Sequence, residues 1–160
     1  MIAKYLRFGV VAGLIVLLDQ VTKALVLAQM PLHRSIEILP GFFNLTHVRN
    51  PGGAFGFLAQ NESPVRHWFF LIAAALALAM ILYFHHQTPP SKRFFSGSLA
   101  LIFGGAVGNI IDRLRFGEVV DFLDVYVGSY HWPTFNIADS AVTVGVVIFL
   151  LHILFRKVPI

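Results

Sequence analysis

Four long apolar segments constrain this chain more than any other feature of its sequence. They lie at about 8–28, 68–84, 94–111 and 141–155, and each is close to the ~20 apolar residues that a helix needs to cross a bilayer. Charged residues make up only 12% of the chain, against roughly 25% in soluble domains. A soluble fold of about 150 residues leaves about a third of its unfolded surface exposed, which is too much for so apolar a chain. The sequence predicts one integral membrane domain over 1–160, an all-α bundle of four transmembrane helices.

The two longer connections between these segments, at about 29–67 and 112–140, are predicted to carry a small β-sheet. Apolar and polar residues alternate there in short runs, and turn residues such as Pro40-Gly41 and Gly128-Ser129 separate them. The strand-like runs lie at about 36–38, 43–46, 119–122 and 126–132. Aromatic residues in both connections suit the membrane interface. We expect the sheet to lie outside the cytoplasm.

The positions of Lys and Arg near the ends of the spans predict the orientation of the chain. Six of them lie on three short segments: Lys4, Arg7, Lys92, Arg93, Arg156 and Lys157. The two longer connections carry only five. Because cytoplasmic segments are enriched in basic residues, this density favours both termini in the cytoplasm.

The first span also resembles a secretory signal peptide. Lys4 and Arg7 precede its apolar run, and Val26-Leu27-Ala28 resembles a cleavage site. Asp19 and Lys23, however, fall where a signal peptide changes to small neutral residues. We therefore expect an uncleaved first span.

Composition excludes several kinds of site. The chain has no cysteine, so it forms no disulfide, thiolate zinc site or thiol nucleophile. Its net charge of +4 is scattered along the chain and forms no basic stripe, so nucleic acid is not an expected partner. No pair of histidines at helical spacing accompanies a glutamate, and we expect no metal site.

Polar residues inside the spans need a reason, because an ionisable group at membrane depth costs ~2.5–3.5 kcal/mol. Asp19 and Lys23 are four apart on one helix face and can pair, either to hold helices together or to support a site. Asn109, Asp112 and Arg113 end the third span. They could simply anchor a helix end at the interface, with the Arg113 side chain reaching towards water.

Asp121 and Asp139 are the candidate catalytic pair. Asp121 lies in an apolar strand-like run and Asp139 at the start of the fourth span, so both are expected at one outer interface. Two carboxylates in a partly apolar site cannot both ionise cheaply, so the pair supplies a base and an acid at the same pH. Such a pair can activate water against a peptide carbonyl. Asp139 could instead be a helix N-cap, and Asp124 is expected to face water.

Five motifs in order resemble those of the lipoprotein signal peptidases, also called type II or prolipoprotein signal peptidases. They are DQVTK at 19–23, NPGGAF at 50–55, GGAVGNIIDR at 104–113, VVDF at 119–122 and FNIAD at 135–139. Each motif alone is weak, but five in order on four spans are specific. The one departure noted is Gly53, where the family often has Ala, and it affects no catalytic residue.

The resemblance implies a bacterial inner-membrane aspartic endopeptidase with four spans, both termini in the cytoplasm and the active site at the periplasmic interface. The family removes the signal peptide from diacylglyceryl prolipoproteins just before the lipidated Cys, is inhibited by globomycin, and uses no metal or organic cofactor. Carried over by motif, Asp121 and Asp139 are the catalytic pair. The residues implied to bind substrate or support the site are Asn50, Gly52, Asn109, Asp112, Arg113, Asn136, Asp19 and Lys23. We expect a monomer surrounded by membrane lipid.

Two other functions stay open from the residues alone. A proton-coupled transporter would use Asp19, Lys23 and Asp112 as a relay, although transporter sites lie near the bilayer midplane. A membrane scaffold would use the same polar groups only to hold its helices together.

Overall fold

A computed structural model of the chain describes residues 2–52 and 64–156, and four helices form most of this part. They are α1 (Ile2–Gln29), α2 (Pro64–Gln87), α3 (Arg93–Phe116) and α4 (Ile137–Arg156). Each contains one predicted span, extends beyond it at both ends, and is long and apolar enough to cross a membrane. The prediction of a four-helix membrane protein is confirmed.

The polarity of the bundle is inverted relative to a soluble protein. Large apolar side chains such as Leu14, Ile72 and Leu76 are more than half exposed on the outer faces of the helices. The fully buried side chains include Asp19 and Lys23. An apolar surface around a polar interior is stable only where the surrounding solvent is lipid.

The helix α3 lies at the centre of the bundle and packs against the other three helices. Glycines on opposite sides of α3 allow this close approach. A Cβ on Gly104 would lie 2.8 Å from the carbonyl oxygen of Ala12 in α1, and a Cβ on Gly105 would overlap the carbonyl of Ala138 in α4. Small residues at such positions let helix backbones meet in lipid.

A four-stranded antiparallel sheet covers one end of the bundle, here called the sheet end. Its strands are β1 (Ser35–Leu39), β2 (Phe43–Asn50), β3 (Val119–Val127) and β4 (Tyr130–His131), in that order across the sheet. The predicted strands are therefore confirmed. Because α2 and α3 connect β2 to β3, the central pair of the sheet joins two distant parts of the sequence.

A bulge in β2 determines which side chains face Asp121. Leu45 pairs with Leu123, but Val48 pairs with Asp121, so β2 has one extra residue between these pairs. Since side chains alternate along a strand, the extra residue moves Asn50 to the face of the sheet that carries Asp121. His47 lies in the bulge, where its Nδ1 is 2.8 Å from the carbonyl oxygen of Met30.

Apolar packing fixes the sheet to the bundle. Val120 and Phe122 of β3 are 0% and 3% exposed and form a core cluster with Val26 and Met30 at the end of α1. Burying side chains of this size contributes roughly 1.5–3 kcal/mol each. Asp121 lies between these two anchors on β3, so its side chain is on the opposite face of the strand.

Candidate active site

A buried charged cluster joins α1 to α3 below the sheet. Lys23 Nζ lies 2.8 Å from Asp19 Oδ2 and 2.8 Å from Asp112 Oδ2, and all three side chains are at most 2% exposed. The spacing of Asp19 and Lys23 on α1 places both on the face towards α3. A buried charge is stable only when it is paired and hydrogen-bonded, and here one ammonium serves two carboxylates.

Asp19 also reaches α4. Its Oδ1 accepts a hydrogen bond of 3.0 Å from the backbone nitrogen of Ala138, in the first turn of that helix. A carboxylate at this position satisfies a free N–H and suits the positive end of the helix dipole. The contact requires Gly108 on α3, because a Cβ there would lie 2.6 Å from Asp19 Oδ2.

Asp112 connects the same cluster to the sheet. Its Oδ2 accepts from the backbone nitrogen of Val120 at 3.0 Å, and its Oδ1 accepts from Gln20 Nε2 at 3.0 Å. Gln20 also donates to Asp19 at 3.1 Å and to the carbonyl of Gly108 at 3.2 Å. Gln20 was not among the predicted site residues. Its position could have been noticed in the sequence, because a polar amide next to Asp19 within an apolar span also needs a hydrogen-bonding partner.

Asn109 bridges Lys23 and Asp139 through the two ends of its side-chain amide. Lys23 Nζ donates to Asn109 Oδ1 at 3.0 Å, which turns the amide nitrogen of Asn109 outwards. That nitrogen donates to Asp139 Oδ1 at 2.8 Å. The buried ammonium therefore fixes the orientation of an amide that holds one member of the candidate pair.

Asn136 contacts both members of the candidate pair. Its Nδ2 donates to Asp121 Oδ1 at 2.7 Å, and its backbone nitrogen donates to Asp139 Oδ2 at 3.3 Å. Asn136 Oδ1 accepts in return from the backbone nitrogen of Asp139 at 2.9 Å. These two bonds are a capping box, so Asn136 is the N-cap of α4 and Asp139 is its third residue. The alternative that Asp139 itself is the N-cap is wrong.

Asp121 is 2% exposed and lies between two amides. Asn136 holds its Oδ1, and Asn50 Nδ2 donates to its Oδ2 at 3.0 Å. Burial and the negative charge of Asp139 raise the pKa of Asp121 to about 7, against the opposing effect of the two amides and of Lys23. Near neutral pH, Asp121 therefore exchanges readily between its protonated and ionised forms.

Both carboxylates line an open cavity of about 550 Å³. Its lining includes the polar residues Asn50, Asn109 and Arg113 and the segment 132–135, which is here called the wall of the cavity. Arg113 Nη2 donates to the carbonyl of Gly52 at 2.8 Å, and Gly52 N donates to Asn50 Oδ1 at 3.0 Å. Arg113 thus holds Gly52, which in turn donates to the Asn50 side chain at the end of β2.

The ten residues predicted from the sequence form one connected network at the sheet end. They are Asp19, Lys23, Asn50, Gly52, Asn109, Asp112, Arg113, Asp121, Asn136 and Asp139. The remainder of the second motif, residues 53–55, lies outside the described residues. Within 2–52 and 64–156, no three His, Asp or Glu side chains group as a metal site.

The sequence model of the family described as signal peptidase (SPase) II matches residues 11–155. The chain belongs to the signal peptidase II family. Its relatives include the lipoprotein signal peptidase of Desulforapulum autotrophicum, which is 55% identical over 96% of this chain and 94% of its own length. The lipoprotein signal peptidase of Syntrophus aciditrophicus is 47% identical, over 94% and 93% of the two chains.

Two solved structures support the fold. Both are of bacterial membrane enzymes determined by the in meso method, at 2.3 and 1.9 Å resolution. The first has a TM-score of 0.86 and 36% identity over 94% of this chain and 89% of the other, and the second has 0.84 and 35% over 94% of each. Membership of the signal peptidase II family makes this protein a membrane protease, as the motifs predicted.

Proposed function

We propose that this protein removes the signal peptide from diacylglyceryl-modified prolipoproteins, cleaving just before the lipidated Cys with a water molecule activated between Asp121 and Asp139. The observation that carries the proposal is the pair of carboxylates that share Asn136 and line one cavity. The relatives are named lipoprotein signal peptidases, which agrees with a lipoprotein substrate. No metal or organic cofactor takes part.

The proposed reaction uses one proton shared by the pair. One carboxylate takes a proton from water, and the resulting hydroxide attacks the peptide carbonyl, while the other, protonated carboxyl donates to the carbonyl oxygen. The tetrahedral intermediate then collapses, its C–N bond breaks, and a proton passes to the leaving amine. The shared proton belongs to the pair as a unit, since the two groups are coupled. A pKa of about 7 for Asp121 suits this exchange.

The surrounding network supplies orientation. Asn109 donates to Asp139 Oδ1 at 2.8 Å and Asn136 donates to Asp121 Oδ1 at 2.7 Å, so each carboxylate is held by an amide while both line the cavity that water and substrate would enter. Lys23 contributes positive charge one amide away from the pair. We propose that Arg113 and Asn50, which line the cavity, position the scissile segment, and that Gly52 holds both of them through its hydrogen bonds.

The proposal includes a place in the cell. The helices suit the bacterial inner membrane, and the density of Lys and Arg on the shorter segments supports cytoplasmic termini. The sheet end then faces the periplasm, where a signal helix carrying two acyl chains would present its scissile bond. Val142 and Val144 line the cavity beside the carboxylates and could contact these chains. We expect a monomer that binds globomycin-type inhibitors in the same cavity.

The test is a gel-shift assay of the purified protein on a diacylglyceryl prolipoprotein, with and without globomycin. We expect cleavage by the wild type and none by Asp121→Asn or Asp139→Asn. Glu37→Gln is the matched control, because Glu37 is an acid of the same sheet that is bonded only to Tyr126 among the described contacts, and it should still cleave. Cleavage by either Asp variant would contradict the dyad, and an inactive wild type would contradict the function.

A further inference from the structure

A second polar cluster lies on the sheet, on the face turned away from the cavity. Asp124 of β3 is 7% exposed, so the expectation that it faces water is wrong. Its Oδ2 accepts from Asn44 Nδ2 at 3.0 Å, and its Oδ1 accepts from His131 Nδ1 at 2.8 Å. A buried carboxylate needs such partners. Asp124 therefore ties β3 to β2 on one side and to β4 on the other.

The ring of His131 is fixed on two sides. His131 lies directly opposite Tyr126 in the sheet, and the two rings stack with centroids 4.7 Å apart and an interplanar angle of 9°. Asp124, two residues before Tyr126 on β3, accepts from its Nδ1. Because Nδ1–H is a donor in one neutral tautomer as well as in the imidazolium, this bond does not require a charged ring.

The chain that follows His131 becomes the wall of the cavity. Trp132 N donates to the carbonyl of Val125 at 2.8 Å, and Phe135 pairs with Leu123 further along β3. Side chains alternate along a strand, so His131 points to the cluster while Trp132 lines the cavity on the opposite face. A strand of two residues is weak by itself. The wall therefore follows directly after His131 and is hydrogen-bonded to β3 at Val125 and Leu123.

We propose that His131 is a positioning residue that fixes the 132–135 wall of the cavity and thereby sets the affinity for substrate. Its kinetic consequence rests on the proposed function, whereas its structural consequence rests on the contacts of the sheet alone. His131 touches neither Asp121 nor Asp139 in any described contact, so its removal acts on binding and leaves the chemical step intact. The effect should therefore appear in KM and not in kcat.

The first test compares two amide substitutions of the same half-exposed side chain. In His131→Asn the amide nitrogen can occupy the place of Nδ1, whereas in His131→Gln it lies one carbon further out. We expect the Gln variant to raise KM about tenfold, equivalent to ~1.4 kcal/mol, with kcat within about twofold of wild type. The Asn variant should resemble the wild type. Equal KM values in the two variants, or a loss in kcat alone, would overturn the proposal.

The second test needs no cleavage. The chain has 2 tryptophans, so in a Trp68→Phe background Trp132 is the only indole and reports directly on the wall. Acrylamide should quench Trp132 more strongly in the His131→Gln protein than in the His131→Asn protein. Equal quenching would overturn the positioning role. This measurement decides the role of His131 even if the wild type proves unable to cleave the lipoprotein, which would refute only the proposed function.

Discussion

Removing the amide of Asn50 should move the alkaline limb of the pH–rate profile to higher pH. Asp121 accepts from Asn50 at 3.0 Å, while burial and the charge of Asp139 raise its pKa to about 7. A hydrogen bond donated to a carboxylate stabilises the ionised form, so Asn50 lowers this pKa. In an Asn50→Ala variant this contribution is lost, and the pKa of Asp121 rises further.

The size of the shift follows from the strength of the bond. A hydrogen bond to a charged group contributes roughly 1.5–3 kcal/mol, and one pKa unit corresponds to ~1.4 kcal/mol. Asn50 is only partly buried, so the lower end applies and the shift should be about one pH unit. The proposed reaction requires the shared proton, so kcat/KM should fall as pH rises through the pKa of Asp121. The midpoint should move from about 7 to about 8.

The assay is kcat/KM for a diacylglyceryl prolipoprotein over the pH range from about 5 to about 10. The midpoint does not depend on the absolute rate, so slower turnover in the variant leaves the comparison valid. Ser35→Ala is the control, because it removes a 2.8 Å hydrogen bond to Thr46 in the same sheet but outside the network. A midpoint that stays in place or moves to lower pH would refute the account of Asp121.

Three further outcomes are expected. Gly108→Ala should reduce cleavage at least tenfold while the chain still inserts, because the added Cβ would lie 2.6 Å from Asp19 Oδ2; activity near that of wild type would contradict this. Lys23→Met should lower the free energy of unfolding by about 3–5 kcal/mol, since Asp19 and Asp112 would be buried without a cation. Thermal unfolding in detergent measures it, and Asp112→Asn in the same chain should recover part of the loss. For Asp121 itself, the folded pKa of about 7 exceeds the ordinary 3.8, so its ionisation lowers stability as pH rises between these values, by at most ~4 kcal/mol. Melting curves at low and high pH should show a shallower pH dependence in Asp121→Asn than in wild type, and identical slopes would argue against the raised pKa.

Features with local causes were predictable from the sequence. Apolar segments of sufficient length form the four helices, and alternation with turn residues indicated the strands around Gly41 and Gly128. The motif resemblance also selected residues that prove to be in mutual contact, including Asn109 and Asn136. Both kinds of signal depend on residue type and order along the chain, which a single sequence contains.

Features that depend on register or on distant contacts were not predictable. The bulge that turns Asn50 towards Asp121 depends on how β2 pairs with β3, two helices later in the chain. The burial of Asp124 depends on the same pairing, since Asn44 lies directly opposite it. The capping box of Asn136 and Asp139 has a local sequence pattern. Because Asn and Asp both serve as N-caps, that pattern did not decide which of the two residues begins α4.

The hydrogen bond from Ala138 to Asp19 has a consequence for biogenesis. It joins residues 119 positions apart, so α1, which is synthesised before α4, completes the start of that helix. A ribosome-bound chain that has inserted only its first three helices lacks Asp139 and the helix terminus that Asp19 caps. On the proposed mechanism, a nascent chain at this stage has no hydrolytic centre, because Asp139 is one of its two carboxylates. The same mechanism therefore predicts that hydrolysis requires α4 to have docked against α1.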